Sequence, residues 1–166
     1  VHVVDEGLHR LMDAPDGLER VDVSVLLSQV NGEFKEKLES RDLDLIESLP
    51  EEHVFVKADG RYLWRVIDNL MNNISKYAMP GTRVYIDLKT QNGQVEISFK
   101  NISKSQLNIS PDELTERFVR GDASRNTEGS GLGLSIAYSL IELMGGKLDL
   151  SVDGDLFKAV ITFDKA

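Results

Sequence analysis

The sequence predicts a two-layer α/β sandwich, a sheet with helices on one face, and three patterns carry that prediction. Two long segments, Val25 to about Glu39 and the stretch from Asp59 to Tyr77, repeat apolar residues at helical spacing and keep a polar face. Several shorter segments alternate apolar and polar residues, as half-buried strands do. Two pairs of these strands flank tight-turn sequences, Gln91-Asn-Gly93 and Asp153-Gly154-Asp155, which read as hairpins. Helices and strands in these positions along the chain point to a layered α/β arrangement.

In order, Val1–Met12 carries Val4, Leu8 and Leu11 at helical spacing, and Asp13-Ala-Pro-Asp-Gly17 then stops it with turn residues. Residues 1–17 therefore read as the tail of an upstream helix and a linker, and residues 18–166 as one domain. Val21-Asp22-Val23 alternates like a short strand, and Ser24 is a suitable N-cap for the helix that buries Leu26, Leu27, Val30, Phe34 and Leu38. Leu43–Leu49 and His53–Lys57 read as strands separated by Pro50. Asp59 caps the second long helix, whose apolar stripe is Leu63, Val66, Ile67, Leu70, Met71 and Ile74. Its other face holds Asp68, Asn69, Asn72, Asn73 and Lys76. Asparagine competes with helical hydrogen bonds through its own side chain, so three within five positions call for a reason beyond helix formation. Arg83–Thr90 and Gln94–Asn101 form the first hairpin. From Ile102 to Glu128 the pattern is mostly polar, and a connection of this length inside one domain is usually functional, often a lid. Leu134–Met144 then reads as a helix ended by Gly145-Gly146, followed by the hairpin Lys147–Val152 and Leu156–Phe163.

Composition narrows the function classes. With 166 residues, 41% hydrophobic and 28% charged, the chain is long enough for one proper core and ordinary for a globular domain. A formal charge of −9 argues against a nucleic-acid partner, which normally meets a basic face. The absence of cysteine excludes disulfides, thiolate zinc sites and cysteine nucleophiles. His2, His9 and His53 are too scattered to suggest a metal cluster. No apolar run approaches the length of a membrane span.

Gly129, Gly131 and Gly133 alternate just before the last helix. A glycine loop that opens a helix offers free backbone N–H groups at the positive end of the helix dipole, a ready site for phosphate. The same loop is compatible with a flexible connector before a buried helix. Two common phosphate loops are excluded. A P-loop needs Gly-Lys-Ser/Thr, but Leu134 follows Gly133, and a Rossmann loop needs a strand just before its glycines, where Ala123–Glu128 is polar. What remains is a triphosphate site assembled from separate pieces. An asparagine oxygen from the second helix can serve Mg²⁺, and Lys76 and Arg120 can supply charge to phosphate.

Three of these segments together resemble sensor histidine kinases. Leu63-Trp-Arg-Val-Ile-Asp-Asn-Leu-Met-Asn-Asn-Ile-Ser-Lys-Tyr-Ala78 resembles their N box, Glu116-Arg-Phe-Val-Arg120 their F box, and Gly129-Ser-Gly-Leu-Gly-Leu134 their second glycine box. Order and spacing agree, and the likeness spans roughly Val21 to Phe163, reaching the wider superfamily of gyrase and heat-shock ATPases. The resemblance implies the Bergerat ATP-binding fold, with a mixed sheet and an ATP lid over about residues 102–131. It implies ATP and Mg²⁺ as ligands. Asn73 would be the Mg²⁺ ligand, with Asn69 one turn earlier facing the same pocket. Lys76 and Tyr77 would line the phosphate and ribose end, and Arg120 would reach the phosphates from the lid. Gly129, Gly131 and Gly133 would wrap the triphosphate, with Leu132 and Leu134 packing beneath.

Two departures stand out. Where the family shows Asp-x-Gly-x-Gly, this chain reads Asn101-Ile-Ser-Lys-Ser105. Asn101 keeps an acceptor for the adenine amino group but not the charge, so the resemblance implies retained adenine recognition at modest affinity. None of the three histidines sits in a phosphoacceptor context, so the acceptor would lie on an upstream dimerisation domain. The implied protein is a homodimeric, membrane-anchored kinase whose cytoplasmic catalytic domain phosphorylates that histidine, for relay to a response-regulator aspartate. The alternatives are a serine kinase of the anti-sigma type and a degenerate nucleotide-binding or docking module.

Overall fold

The computed structural model describes residues 18–104 and 132–166. The expected tail over residues 1–17, most of the expected lid, and Arg120, Gly129 and Gly131 lie outside the described residues.

The elements follow the expected order. They are β1 (Glu19–Asp22), α1 (Val23–Ser40), β2 (Asp44–Ser48), β3 (Phe55–Ala58), α2 (Gly60–Tyr77), β4 (Arg83–Gln91), β5 (Gln94–Ile102), α3 (Leu132–Leu143), β6 (Lys147–Asp153) and β7 (Leu156–Asp164). Five strands form a mixed sheet in the order β2-β4-β5-β7-β6, with β2 parallel to β4 and the other neighbours antiparallel. β1 and β3 pair separately as a two-stranded ribbon.

The strands bury alternate residues, which leaves one sheet face for the helices. On β4 these are Val84, Ile86 and Leu88; on β5, Val95, Ile97 and Phe99; on β7, Ala159, Ile161 and Phe163. They join one core with the apolar stripes of α1, α2 and α3, the last contributing Leu134, Ala137, Leu140 and Ile141. The two-layer sandwich expected from the sequence is the fold observed.

Local chemistry explains the boundaries. Asn92 (φ 54°) and Gly93 (φ 77°) both take left-handed conformations, as a two-residue hairpin turn of this twist requires. α3 ends at Gly145 (φ 81°), and Gly146 lies so close to the sheet that an added Cβ would sit 2.8 Å from the Phe163 ring.

One cap differs from expectation. Asp22, not Ser24, caps α1: its side chain accepts from the Val25 N–H at 3.2 Å, and its second oxygen meets His53 Nδ1 at 2.6 Å. Ser24 Oγ is used elsewhere, accepting from the Val54 N–H at 3.1 Å. β1 accordingly ends one residue earlier than the alternation suggested, because Val23 enters the first turn of the helix.

Asp59 does cap α2, accepting from the N–H groups of Arg61 (2.9 Å) and Tyr62 (3.3 Å). Asp59→Ala is expected to remove about 1 kcal/mol of stability. Urea unfolding of the two proteins would measure it, and an unchanged midpoint would deny the cap its energetic role.

Candidate nucleotide-binding site

α2 divides its residues cleanly. Leu63, Val66, Ile67, Leu70, Met71 and Ile74 face the core, while Asn69, Asn73 and Lys76 stay half-buried on another side and Tyr77 is 45% exposed. Residues four apart share a helix face, so Asn69, Asn73 and Tyr77 form one row, with Lys76 one residue to the side. Asn73 Nδ2 donates to the Asn69 carbonyl at 2.9 Å. That bond occupies the amide nitrogen and leaves the Oδ1 atom to offer to a ligand.

The third asparagine has a different task. Asn72 Oδ1 accepts from Lys37 Nζ at 2.8 Å, and its Nδ2 donates to the Asp68 carbonyl at 3.0 Å. Arg41 Nη1 donates to the Ser75 carbonyl at 3.2 Å. These bonds tie the last turns of α1 to the last turns of α2 and hold the Asn69–Tyr77 row in place. Lys37 and Arg41 were not singled out from the sequence, because their partners lie about 35 residues away.

The C-terminal end of α2 is also stitched to the end of β5. Met79 N–H donates to the Ile102 carbonyl (2.7 Å), Lys104 N–H donates to the Tyr77 carbonyl (2.8 Å), and Ala78 bridges Ser103. Ser103, where the family pattern has glycine, thus adopts an ordinary antiparallel bridge, and the Ser103 N–H donates to the Asp155 carbonyl at 2.8 Å. These bonds join the last turn of α2, which carries Lys76 and Tyr77, to the strand end that carries Asn101.

Asn101 occupies an unusual place. It continues the inward stripe of Val95, Ile97 and Phe99, where the alternation calls for an apolar residue, and it is 3% exposed. None of the side-chain hydrogen bonds among the described residues involves it. Among the described residues the fully buried side-chain atom without a partner is Asn31 Oδ1, so the Asn101 carboxamide is not sealed off and stays open to a ligand or water. Directly across the sheet lie Phe157 and then Val152, both only partly buried against the core. On this side the polar group of Asn101 therefore meets an apolar row, the mixture that small-molecule sites use. Phe157 was read only as strand, since nothing in the sequence pairs it with Asn101.

Leu132 and Gly133 open α3, and Leu134 is buried in the core. The donor set also suits Mg²⁺. Among the described residues no three His, Cys, Asp or Glu side chains gather to hold a metal. Mg²⁺ in nucleotide sites is commonly held by one or two protein oxygens together with phosphates and waters, and a single asparagine oxygen fits that role. Among the described residues no helix is long and apolar enough to cross a membrane.

Residues 58–165 match the family of histidine kinase-, DNA gyrase B- and HSP90-like ATPases. The chain belongs to this family, and ATP binding is the property the family shares. Its relatives include the probable sensor protein PcoS of Escherichia coli, 36% identical over 113 residues, which are 66% of this chain and 24% of PcoS. The signal transduction histidine-protein kinase BaeS of Escherichia coli K12 is 32% identical over 146 residues, 87% of this chain and 30% of BaeS. Among solved structures, the catalytic domain of histidine kinase ThkA superposes with a TM-score of 0.76 at 24% identity, covering 89% of this chain and 95% of that one. ThkA solved in complex with the response regulator TrrA gives 0.73 at 23% identity, covering 90% of this chain and 42% of that one. Within the family, the chain is the catalytic ATPase domain of a bacterial sensor histidine kinase. It spans less than a third of the length of either curated relative.

Proposed function

We propose that this domain binds Mg-ATP between the polar row of α2 and the inner end of β5, and passes the γ-phosphoryl to a histidine on an upstream dimerisation domain. The observation that carries the proposal is the stitching of the last turn of α2, whose polar row holds Asn69, Asn73, Lys76 and Tyr77, to the end of β5 that holds the buried Asn101. Asn101 accepts from the adenine amino group. Tyr77 and Lys76 line the ribose and phosphate end. Gly129, Gly131 and Gly133 wrap the triphosphate, backed by Leu132 and Leu134, and Arg120 approaches the phosphates from the lid. Asn73 would hold Mg²⁺, which when bound neutralises charge on the β- and γ-phosphates.

The chain's own residues then position the nucleotide for in-line attack, with little covalent chemistry of their own. The phosphoryl group continues to an aspartate of a response regulator, a reading supported by the ThkA–TrrA complex. The whole protein is a homodimer anchored in the membrane with this domain in the cytoplasm.

Two measurements test this. Equilibrium titration with Mg-ATP should show saturable binding in the micromolar to millimolar range; none would favour a degenerate docking module. Mixing the domain with a fragment carrying the upstream helices should yield acid-labile phosphohistidine. Acid-stable phosphoserine on a partner would favour the anti-sigma type of kinase.

A further inference from the structure

We infer that Asn101 makes the base pocket accept 6-oxopurine as well as 6-aminopurine nucleoside triphosphates. The inference rests on the nucleotide-binding reading above and names its substrate class. A carboxylate only accepts hydrogen bonds, so at this position it matches the amino group of adenine and repels a carbonyl oxygen. A carboxamide carries one acceptor and two donors on neighbouring atoms.

With Oδ1 toward N6 and Nδ2 toward N1, Asn101 accepts from the adenine amino group and donates to the ring nitrogen. Turned by half a rotation about its last torsion, Nδ2 donates to O6 and Oδ1 accepts from N1–H, the complementary pattern of hypoxanthine or guanine. Both arrangements place the same two atoms against the same edge.

The surroundings leave that rotation open. Asn101 is 3% exposed, yet no side-chain hydrogen bond to another described residue fixes which of its two atoms points where. Its cross-strand neighbours Phe157 and Val152 are apolar and impose no donor or acceptor of their own. The backbone around it is pinned by the Ala78–Ser103 bridge and the Met79–Ile102 hydrogen bond, so a change at Asn101 alters the edge and not the frame.

Titration of the chain with Mg-ATP and with Mg-ITP, for the wild type and for Asn101→Asp, decides the matter. ITP presents O6 and N1–H without the 2-amino group of guanine. The wild type is expected to bind ITP within about tenfold of ATP. Asn101→Asp is expected to bind ATP more tightly, because the acceptor becomes charged. It should raise the preference for ATP over ITP by at least about tenfold, the usual scale for losing a complementary pair on a base edge.

A wild type that binds ATP but discriminates against ITP by more than about tenfold overturns the inference and leaves the ATP site standing. An Asn101→Asp protein with an unchanged ATP-to-ITP ratio shows that Asn101 does not read the base. Binding of neither nucleotide to the wild type defeats the nucleotide-binding reading itself. Should Asn101→Asp fail to fold, the wild-type ratio alone still decides whether the pocket takes both bases.

Discussion

Asn73→Ala is expected to lower Mg²⁺-dependent ATP affinity by about a hundredfold, the range seen when metal coordination is disturbed, while leaving the fold intact. The Asn73 amide donates back to the Asn69 carbonyl four residues earlier, inside the same helix, and contributes nothing to the contacts between α2 and the core. Alanine is a better helix former than asparagine, so the variant should keep or gain a few tenths of a kcal/mol of stability. Titration with ATP in the presence of Mg²⁺ and then of EDTA would separate the metal-dependent part. A variant that loses affinity equally under both conditions would show that Asn73 touches the nucleotide directly and not through the metal. A variant with unchanged Mg²⁺-dependent affinity would remove Asn73 from the site.

Phe99→Ala is expected to cost about 3–5 kcal/mol, the largest single loss of stability in the domain. Phe99 is fully buried at the centre of β5, the middle strand of the sheet, and it faces the helices. Removing its ring leaves a cavity that the surrounding strands cannot close, because β4 and β7 hold β5 in register on both sides. Since Asn101 is two residues further along the same inward row, the variant should also weaken nucleotide binding at temperatures where it is still folded. Guanidinium unfolding would measure the loss. A change under about 1 kcal/mol would mean that the core repacks around the gap.

Much of this was legible in the residues themselves. The apolar stripe of α2 from Leu63 to Ile74, its Asp59 cap and the Asn92-Gly93 turn are local features, written into spacing and turn chemistry, and they were located to within a residue or two. The cap of α1 was misplaced by two positions, since Asp22 and Ser24 are equally good capping residues. Only the positions of His53 and Val54, brought in by the segment just before β3, assign the first to the helix and the second to the Val54 N–H.

The asparagines divide along the same line. That Asn69, Asn72 and Asn73 needed a purpose beyond helix formation followed from their poor helix propensity, a property each carries alone. Their separate tasks did not. Asn72 is turned toward Lys37 of α1 by the way two helices pack, and Asn73 is left to the open side. Asn101 shows the same limit most plainly. Its identity and its departure from an acidic residue were visible at once. That it lies buried at the end of an apolar row, facing Phe157 and beside the last turn of α2, is a consequence of strand register and of the Ala78–Ser103 bridge. Short-range pattern determines which segments become helix or strand, because caps, turns and periodicity act over a few residues. Which side chains meet across those segments is set by pairing between residues far apart in the chain, and no local preference encodes it.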